Sequence, residues 1–263
     1  MIVDRSGSMR APMKYHFRTQ NRLETVKSVF KEFVFGDRMS RLAGRSSDLL
    51  GIIAFAHYPY TVCPLTLDHD ALNFALDHVE LITEDSDENG TAVGDAVAMG
   101  VARLQDAERT LAAQTQRDAS AYHLKSKIII LLTDGQDEGS HTRSISEAAE
   151  LARKHGIKVY TIAIVTNQDL NRGLVGGFFS NGMEYDTTDI ENLAKTTGGT
   201  FHTCDSADAL LDIYREIDQM ERSDVESIRY VTHHEFFLPF LAAGLATLLF
   251  AIVLNLTIFR RIP

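Results

Sequence analysis

Met1-Ile2-Val3-Asp4-Arg5-Ser6-Gly7-Ser8-Met9 is the segment from which the fold of this chain can be worked out. Its apolar residues lead into an aspartate, which is the pattern of a buried strand that ends in a loop. Open α/β sheets bind their ligands in the loops at the carboxyl ends of the strands. Asp4, Ser6 and Ser8 offer hard oxygen donors there, which suit Mg²⁺, Mn²⁺ or Ca²⁺ better than soft metals. The alternative is that Ser6-Gly7-Ser8 is only a turn that caps the next helix.

A second segment, Lys127-Ile128-Ile129-Ile130-Leu131-Leu132-Thr133-Asp134-Gly135, repeats the pattern of an apolar strand closed by an aspartate. Two central strands of this kind put Asp4 and Asp134 on the same edge of the sheet. Two neighbouring buried carboxylates without a counter-charge would drive one of them to protonate, and a divalent cation would remove that penalty. Thr91 precedes a predicted helix, where its hydroxyl caps the helix, adds a further metal ligand, or does both.

Strands and helices alternate along the rest of the chain. Apolar runs at 49–56 and 157–165 predict strands buried on both faces, and 60–63 predicts a short strand that Pro64 confines to a sheet edge. Helices are predicted at 20–35, 68–81, from about 91, 143–155, 189–197 and 206–222, with a short strand at 200–203, whereas 11–20 is expected to be irregular. This order predicts a doubly wound, mostly parallel six-stranded α/β sheet of Rossmann-like type with one antiparallel edge strand.

The two cysteines test this topology. If the strands follow the usual order 3-2-1-4-5-6, Cys63 and Cys204 lie at opposite edges of the sheet. They would then be too far apart for a disulfide, so we predict two free thiols.

Composition excludes several classes of function. The 263 residues include 26 basic and 36 acidic side chains, for a net charge of -10, and no clustered basic face suggests nucleic-acid binding. Two cysteines are too few for a disulfide framework. Dinucleotide binding is excluded because no G-x-G-x-x-G motif follows the first strand.

The C-terminal part predicts a membrane anchor. Residues 236–259 carry no charge and are long enough as a helix to cross the ~30 Å hydrocarbon core. We therefore expect a soluble domain at 1–222, a connector at 223–235, a transmembrane helix at 236–259 and a cytoplasmic tail at 260–263. The Arg260-Arg261 pair places the tail inside and the domain outside the cytoplasm.

The export of such a domain requires a signal that the sequence does not show. We therefore expect the natural chain to extend upstream of Met1, with a longer first strand. A tail-anchored cytosolic protein is the alternative, although it conflicts with the distribution of basic residues.

Asp4-x-Ser6-x-Ser8, Thr91 and Asp134 resemble the metal ion-dependent adhesion site (MIDAS) of a von Willebrand factor type A (VWA) domain. The resemblance extends from Met1 to about residue 222. It implies that these five residues bind a divalent cation, directly or through water, with Mg²⁺ favoured over Mn²⁺ and Ca²⁺. It also implies a binding module rather than an enzyme, with a protein partner whose carboxylate completes the metal shell.

Four further segments are similar to one bacterial branch, the membrane-anchored Bat (aerotolerance-type) proteins. They are Gly51–Ala56, Cys63–Asp68, Gly90–Ala96 and Leu131–Gly135, and the terminal span ending in Arg260-Arg261-Ile262-Pro263 fits as well. The resemblance implies a bacterial inner-membrane protein with a periplasmic domain. Its implied partners are a MoxR-type AAA+ ATPase and other VWA proteins.

A Mg²⁺-dependent phosphohydrolase on a similar sheet is the alternative function. Such an enzyme commonly places a second acid two residues after its nucleophilic aspartate, and that position is Ser6 here. Lys125 and Lys127 remain as candidates for a phosphate clamp. For the metal site, Asp4→Ala is expected to abolish divalent binding and leave the fold intact, because the loop is expected at the surface.

Overall fold

A computed structural model describes residues 1–37, 42–83, 90–115, 126–134, 142–165 and 187–223, together with 244–245 and 247–248. The chain divides into two units, Met1–Val225 and Glu226–Pro263. The elements below belong to the first unit.

Within the described residues the strands are β1 Ile2–Asp4, β2 Pro12–Tyr15, β3 Arg18–Asn21, β4 Leu50–Phe55, β5 Pro59–Thr66, β6 Ile128–Thr133, β7 Lys158–Ile164 and β8 Phe201–Cys204. The α-helices are α1 Arg22–Phe35, α2 His69–Asp77, α3 Val93–Thr115, α4 Ile145–Lys154, α5 Thr188–Thr197 and α6 Ala207–Ser223. A short 3-10 helix, Gly7–Arg10, follows β1.

Six of the strands form one sheet in the order β5-β4-β1-β6-β7-β8. Counted along the chain, this is the predicted order 3-2-1-4-5-6. β5 pairs antiparallel with β4, and the other neighbouring strands are parallel. The predicted fold class, a doubly wound sheet with one antiparallel edge strand, is confirmed.

The sheet separates two hydrophobic layers, because consecutive strand residues face opposite sides. Ile2 packs into the layer that contains residues of α3, α4 and α5, and Val3 packs into the layer that contains residues of α1, α2 and α6. The same alternation continues at the end of β6, where Leu131 faces the first layer and Leu132 the second. The direction in which each strand-end side chain points follows from this alternation.

One prediction about local structure was wrong. The segment expected to be irregular at 11–20 forms an antiparallel hairpin of β2 and β3, in which Met13 pairs with Gln20. The reason is tertiary: Met13 is buried in the core while its neighbours are exposed, and Lys14 forms a bridge to Ser206 at the start of α6. One buried residue in a polar segment is too weak a pattern to indicate a strand.

The cysteine prediction is confirmed. Cys63 lies in β5 and Cys204 in β8, at opposite edges of the sheet, and both are buried free thiols.

The predicted tail at 260–263 lies outside the described residues, as does the connector from 224 to 235. So does the predicted span at 236–259, apart from Gly244, Leu245, Thr247 and Leu248. Among the described residues, no helix combines the length and apolar character needed to cross a membrane.

Candidate metal centre

The candidate site lies at the point in the sheet where the order of the strands reverses. From β1 the chain proceeds to β4 on one side, and β6 adds on the other side of β1. Such a switch point leaves a crevice at the carboxyl ends of the two strands, which is where doubly wound sheets bind ligands. Asp4 ends β1 and Asp134 directly follows β6, so the structure brings the two predicted aspartates to this crevice.

Asp4 lies within the sheet rather than beyond it. Its side chain is fully buried, with Oδ1 accepting a hydrogen bond from the Ser6 backbone N–H at 2.8 Å and Oδ2 accepting one from the Thr133 hydroxyl at 2.7 Å. The loop that follows Asp4, expected at the surface, exposes Ser8 and buries Ser6. Pairing with β4 continues past Asp4, because the Arg5 N–H donates to the Phe55 carbonyl at 2.8 Å.

The two serines connect the loop to the second aspartate. Ser6 Oγ and Ser8 Oγ are 2.9 Å apart, and Ser8 Oγ donates to Asp134 Oδ1 at 2.5 Å. Ser6 is buried, whereas Ser8 is exposed at the mouth of the crevice. The 3-10 helix beginning at Gly7 keeps the two serines close together, because the Met9 N–H donates to the Ser6 carbonyl at 3.1 Å.

Thr91 lies on the same edge of the sheet but is anchored through a different strand. It is 5 % exposed and precedes α3 by two positions. Its neighbour Ala92 donates its N–H to the carbonyl of Ala56, just past the end of β4, at 2.7 Å. Since β4 adjoins β1, this bond holds Thr91 one strand away from Asp4.

Arg22 is a site residue that the sequence interpretation missed. It is the first residue of α1 and is only 4 % exposed, and its Nη1 lies 2.5 Å from Asp134 Oδ2. A signal was present, because Arg22 is four residues before Val26 and therefore shares the apolar face of the helix. A charged side chain on a buried face requires a partner.

Thr133 was missed for a similar reason. It ends the apolar run of β6, is fully buried, and donates its hydroxyl to Asp4. A polar residue at the end of an otherwise apolar strand was the available signal.

The charges at the site are unbalanced. Burial and the nearby charge of Asp134 raise the pKa of Asp4 to about 7, although hydrogen bonds from Ser6 and Thr133 oppose the shift. Arg22 is paired with Asp134, so within the described part of the chain Asp4 is the carboxylate that has no cationic side chain paired with it. The expectation that one of two neighbouring carboxylates is driven toward protonation agrees with this pKa.

The donor set fits a hard divalent cation, since a carboxylate and several hydroxyls converge beside a buried negative charge. Among the residues that the structure describes, no group of three or more His, Cys, Asp or Glu side chains is placed to hold a metal ion. A cation at this edge would therefore depend on the serine and threonine hydroxyls as well as on the carboxylates.

Of the two lysines named as a phosphate clamp for the alternative function, the described one, Lys127, does not lie at this crevice. Lys127 precedes β6, at the opposite end of the strand from Asp134, and pairs with Glu108 at 2.9 Å. Lys125 is outside the described residues.

A doubly wound sheet with an Asp-x-Ser-x-Ser loop at its switch point defines the class: an α/β domain whose switch-point crevice is lined by oxygen donors. The chain belongs to the von Willebrand factor type A domain family, whose model matches residues 1–216. Domains of this family are generally protein-interaction modules.

Two relatives and two solved structures illustrate the similarity. An uncharacterized protein of Borreliella burgdorferi is 25% identical over 77% of this chain and 52% of its own length. A UPF0353 protein of Nocardia farcinica is 26% identical over 100% of this chain and 72% of its own length. The chain thus spans about half of the first relative.

The solved structures include Bat proteins. The conserved hypothetical protein BatB from Bacteroides thetaiotaomicron has a TM-score of 0.56 at 21% identity, covering 84% of this chain and 97% of that one. An aerotolerance-related membrane protein from Bacteroides fragilis has a TM-score of 0.51 at 19% identity, covering 83% and 97%. At these identities the likeness shows the shared fold.

Proposed function

We propose that this chain is a divalent-metal-dependent protein-interaction module anchored in the bacterial inner membrane. The observation that carries the proposal is the meeting of Asp4, Ser6, Ser8 and Asp134 in one crevice, with both carboxylates buried. Leaving such a cluster short of positive charge is costly, and a divalent cation offsets that cost.

The cation would be held by Asp4, Ser6 and Ser8, with Thr91 and Asp134 contributing directly or through water. Mg²⁺ is the favoured ion, and Mn²⁺ and Ca²⁺ are the alternatives. The proton of Ser8 is donated to Asp134 and Ser6 then donates to Ser8, so one lone pair of the Ser8 oxygen remains available to a cation. When bound, the cation supplies a positive centre that accepts an anionic group.

The proposed partner is a protein that presents a carboxylate to this centre. The exposure of Ser8 leaves the mouth of the crevice accessible to such a group. The similarity to Bat proteins favours a MoxR-type AAA+ ATPase or another VWA protein as the partner. The role is one of binding, and no residue is assigned a catalytic step.

Two features support the membrane location. Residues 236–259 form an uncharged apolar segment followed by Arg260-Arg261, which favours a periplasmic domain. The similar Bacteroides fragilis protein is described as an aerotolerance-related membrane protein.

Thermal unfolding of the detergent-solubilised chain in Mg²⁺, Mn²⁺, Ca²⁺ or EDTA tests the metal dependence. Metal at about 100 times its Kd should add roughly 2.7 kcal/mol of stability. Asp4→Asn, which keeps the shape of the buried side chain, should abolish the response, whereas Asp70→Asn on the exposed surface of α2 should retain it. A parent protein whose Tm responds to none of the three ions would refute metal dependence.

The partner is tested separately with a purified MoxR-type ATPase from the same organism. Binding should require the divalent ion and should be lost in EDTA and in Asp4→Asn. Binding of equal strength in EDTA would show that the contact does not use this site.

A further inference from the structure

Arg22 occupies an electrostatically unfavourable position for a helical cation. It is the first residue of α1, where the helix dipole presents positive charge, and it is 4 % exposed. Its backbone N–H donates to the Ala11 carbonyl at 3.0 Å, so the helix start is fixed beside the metal loop. A buried cation at a helix N-terminus requires a strong compensating partner, which is Asp134 at 2.5 Å.

The other arginines of the first 22 residues are placed differently. Arg5 donates from Nε to the Glu80 carbonyl at 2.8 Å, and Arg10 donates from Nη2 to the Ile82 carbonyl at 2.9 Å. Arg18 is exposed on the hairpin. Of these residues, Arg22 is the one that pairs with a carboxylate of the crevice while buried.

We propose that Arg22 is a fixed counter-cation that weakens the intrinsic metal affinity of the site and so makes metal binding depend on the partner's carboxylate. The inference rests on the proposed metal-dependent function. Among the described residues, the crevice holds two carboxylates and one guanidinium, so these groups and a divalent ion together carry a single net positive charge. One carboxylate from the partner neutralises that charge. Without Arg22 the metal-loaded crevice is already neutral, and an additional carboxylate is no longer favoured.

The test compares Kd values for Mg²⁺ and Mn²⁺, measured by isothermal titration calorimetry on the full chain with no partner present. Arg22→Gln should bind each ion at least about tenfold more tightly, since a unit charge a few ångströms from a divalent ion exceeds that effect at an effective dielectric constant of ~20. Arg22→Lys, which keeps the charge, should remain near the parent value. Arg18→Gln removes the same formal charge from the exposed hairpin and should also leave Kd unchanged.

A purely structural role for Arg22 predicts a different result. The pair would then only tie α1 to β6, and Arg22→Gln would lower Tm equally with and without metal while Kd stayed at the parent value. That result overturns the inference and leaves the proposed function standing. Absence of metal binding in the parent and in every variant would instead refute the proposed function, and the inference with it.

Removing Arg22 leaves Asp134 buried without its partner, which can itself unfold the protein. A second comparison uses Asp134→Asn as the background, because its double variant with Arg22→Gln removes both partners and leaves neither charge of the pair buried alone. The Asp134→Asn/Arg22→Gln double variant should bind Mn²⁺ at least about tenfold more tightly than Asp134→Asn alone. Equal affinities in this pair would also overturn the inference.

Discussion

Replacing Asp4 with asparagine should stabilise the metal-free protein at neutral and alkaline pH. The parent carries an ionised, fully buried carboxylate at Asp4, beside Asp134. Arg22, the buried cation described at this crevice, is paired with Asp134 rather than with Asp4. Asparagine keeps the shape and removes the charge. Its carbonyl can still accept from the Ser6 N–H, and the Thr133 hydroxyl can reverse to accept from the new amide.

The magnitude follows from the pKa. Burial and the charge of Asp134 raise the pKa of Asp4 from 3.8 to about 7. At 1.36 kcal/mol per unit this corresponds to a cost of up to roughly 4 kcal/mol once the carboxylate is ionised. Because the folded state binds the proton more tightly than the unfolded state, the stability of the parent falls as pH rises from about 4 to about 7 and then levels off.

The assay is chemical unfolding in EDTA, followed by far-UV circular dichroism, since the chain contains no Trp. The free energy of unfolding of Asp4→Asn should exceed that of the parent by a few kcal/mol at pH 8, and by much less at pH 5. Saturating Mg²⁺ should stabilise the parent but not Asp4→Asn, and so should narrow or reverse the difference between their free energies of unfolding.

Equal or lower stability of Asp4→Asn at pH 8 in EDTA would refute the reasoning, because it would mean that the ionised Asp4 is already compensated. A difference independent of pH would likewise exclude ionisation as its cause. Asp70→Asn, at an exposed position on α2, serves as the matched control and should follow the parent at both pH values.

Two further predictions concern the rest of the fold. Burial alone would raise the pKa of Glu221, but hydrogen bonds from Ser126, Tyr160 and Lys158 hold it below its usual 4.5. Glu221→Gln should therefore lower the free energy of unfolding by about 1–3 kcal/mol near pH 7. Urea titrations of the parent and the variant should show this difference shrinking below about pH 4.5, where the carboxylate is protonated, and a difference that grew there would contradict the account. A Cβ at Gly199 would lie 2.1 Å from the Val159 carbonyl oxygen, so Gly199→Ala should lower stability by roughly 3 kcal/mol or more. Gly198→Ala, in open space with φ +78°, should cost only about 1 kcal/mol, and equal losses of Tm in the two variants would contradict this account.

The crevice shows where sequence reasoning reached its limit. Asp4 and Asp134 were predicted to share an edge because parallel strands end on the same side, and that argument needs no side-chain detail. Which side chains hold the two carboxylates depended on contacts between separate segments, such as the hydrogen bond from Thr133 to Asp4. Arg22 was missed because its partner is 112 residues away and becomes a neighbour only when the start of α1 lies next to the residue that follows β6.

The sequence by itself determined the alternation of strands and helices, the antiparallel edge strand, the separation of the two cysteines and the placement of Asp4 and Asp134. Each follows from local hydrophobic periodicity, strand-ending residues and the fixed handedness of crossovers. Tertiary structure decided the β2–β3 hairpin, the hydrogen bond from Thr133 to Asp4 and the pairing of Arg22 with Asp134. These depend on contacts between distant segments, and the charge balance of a buried site is set by which side chains the fold brings together.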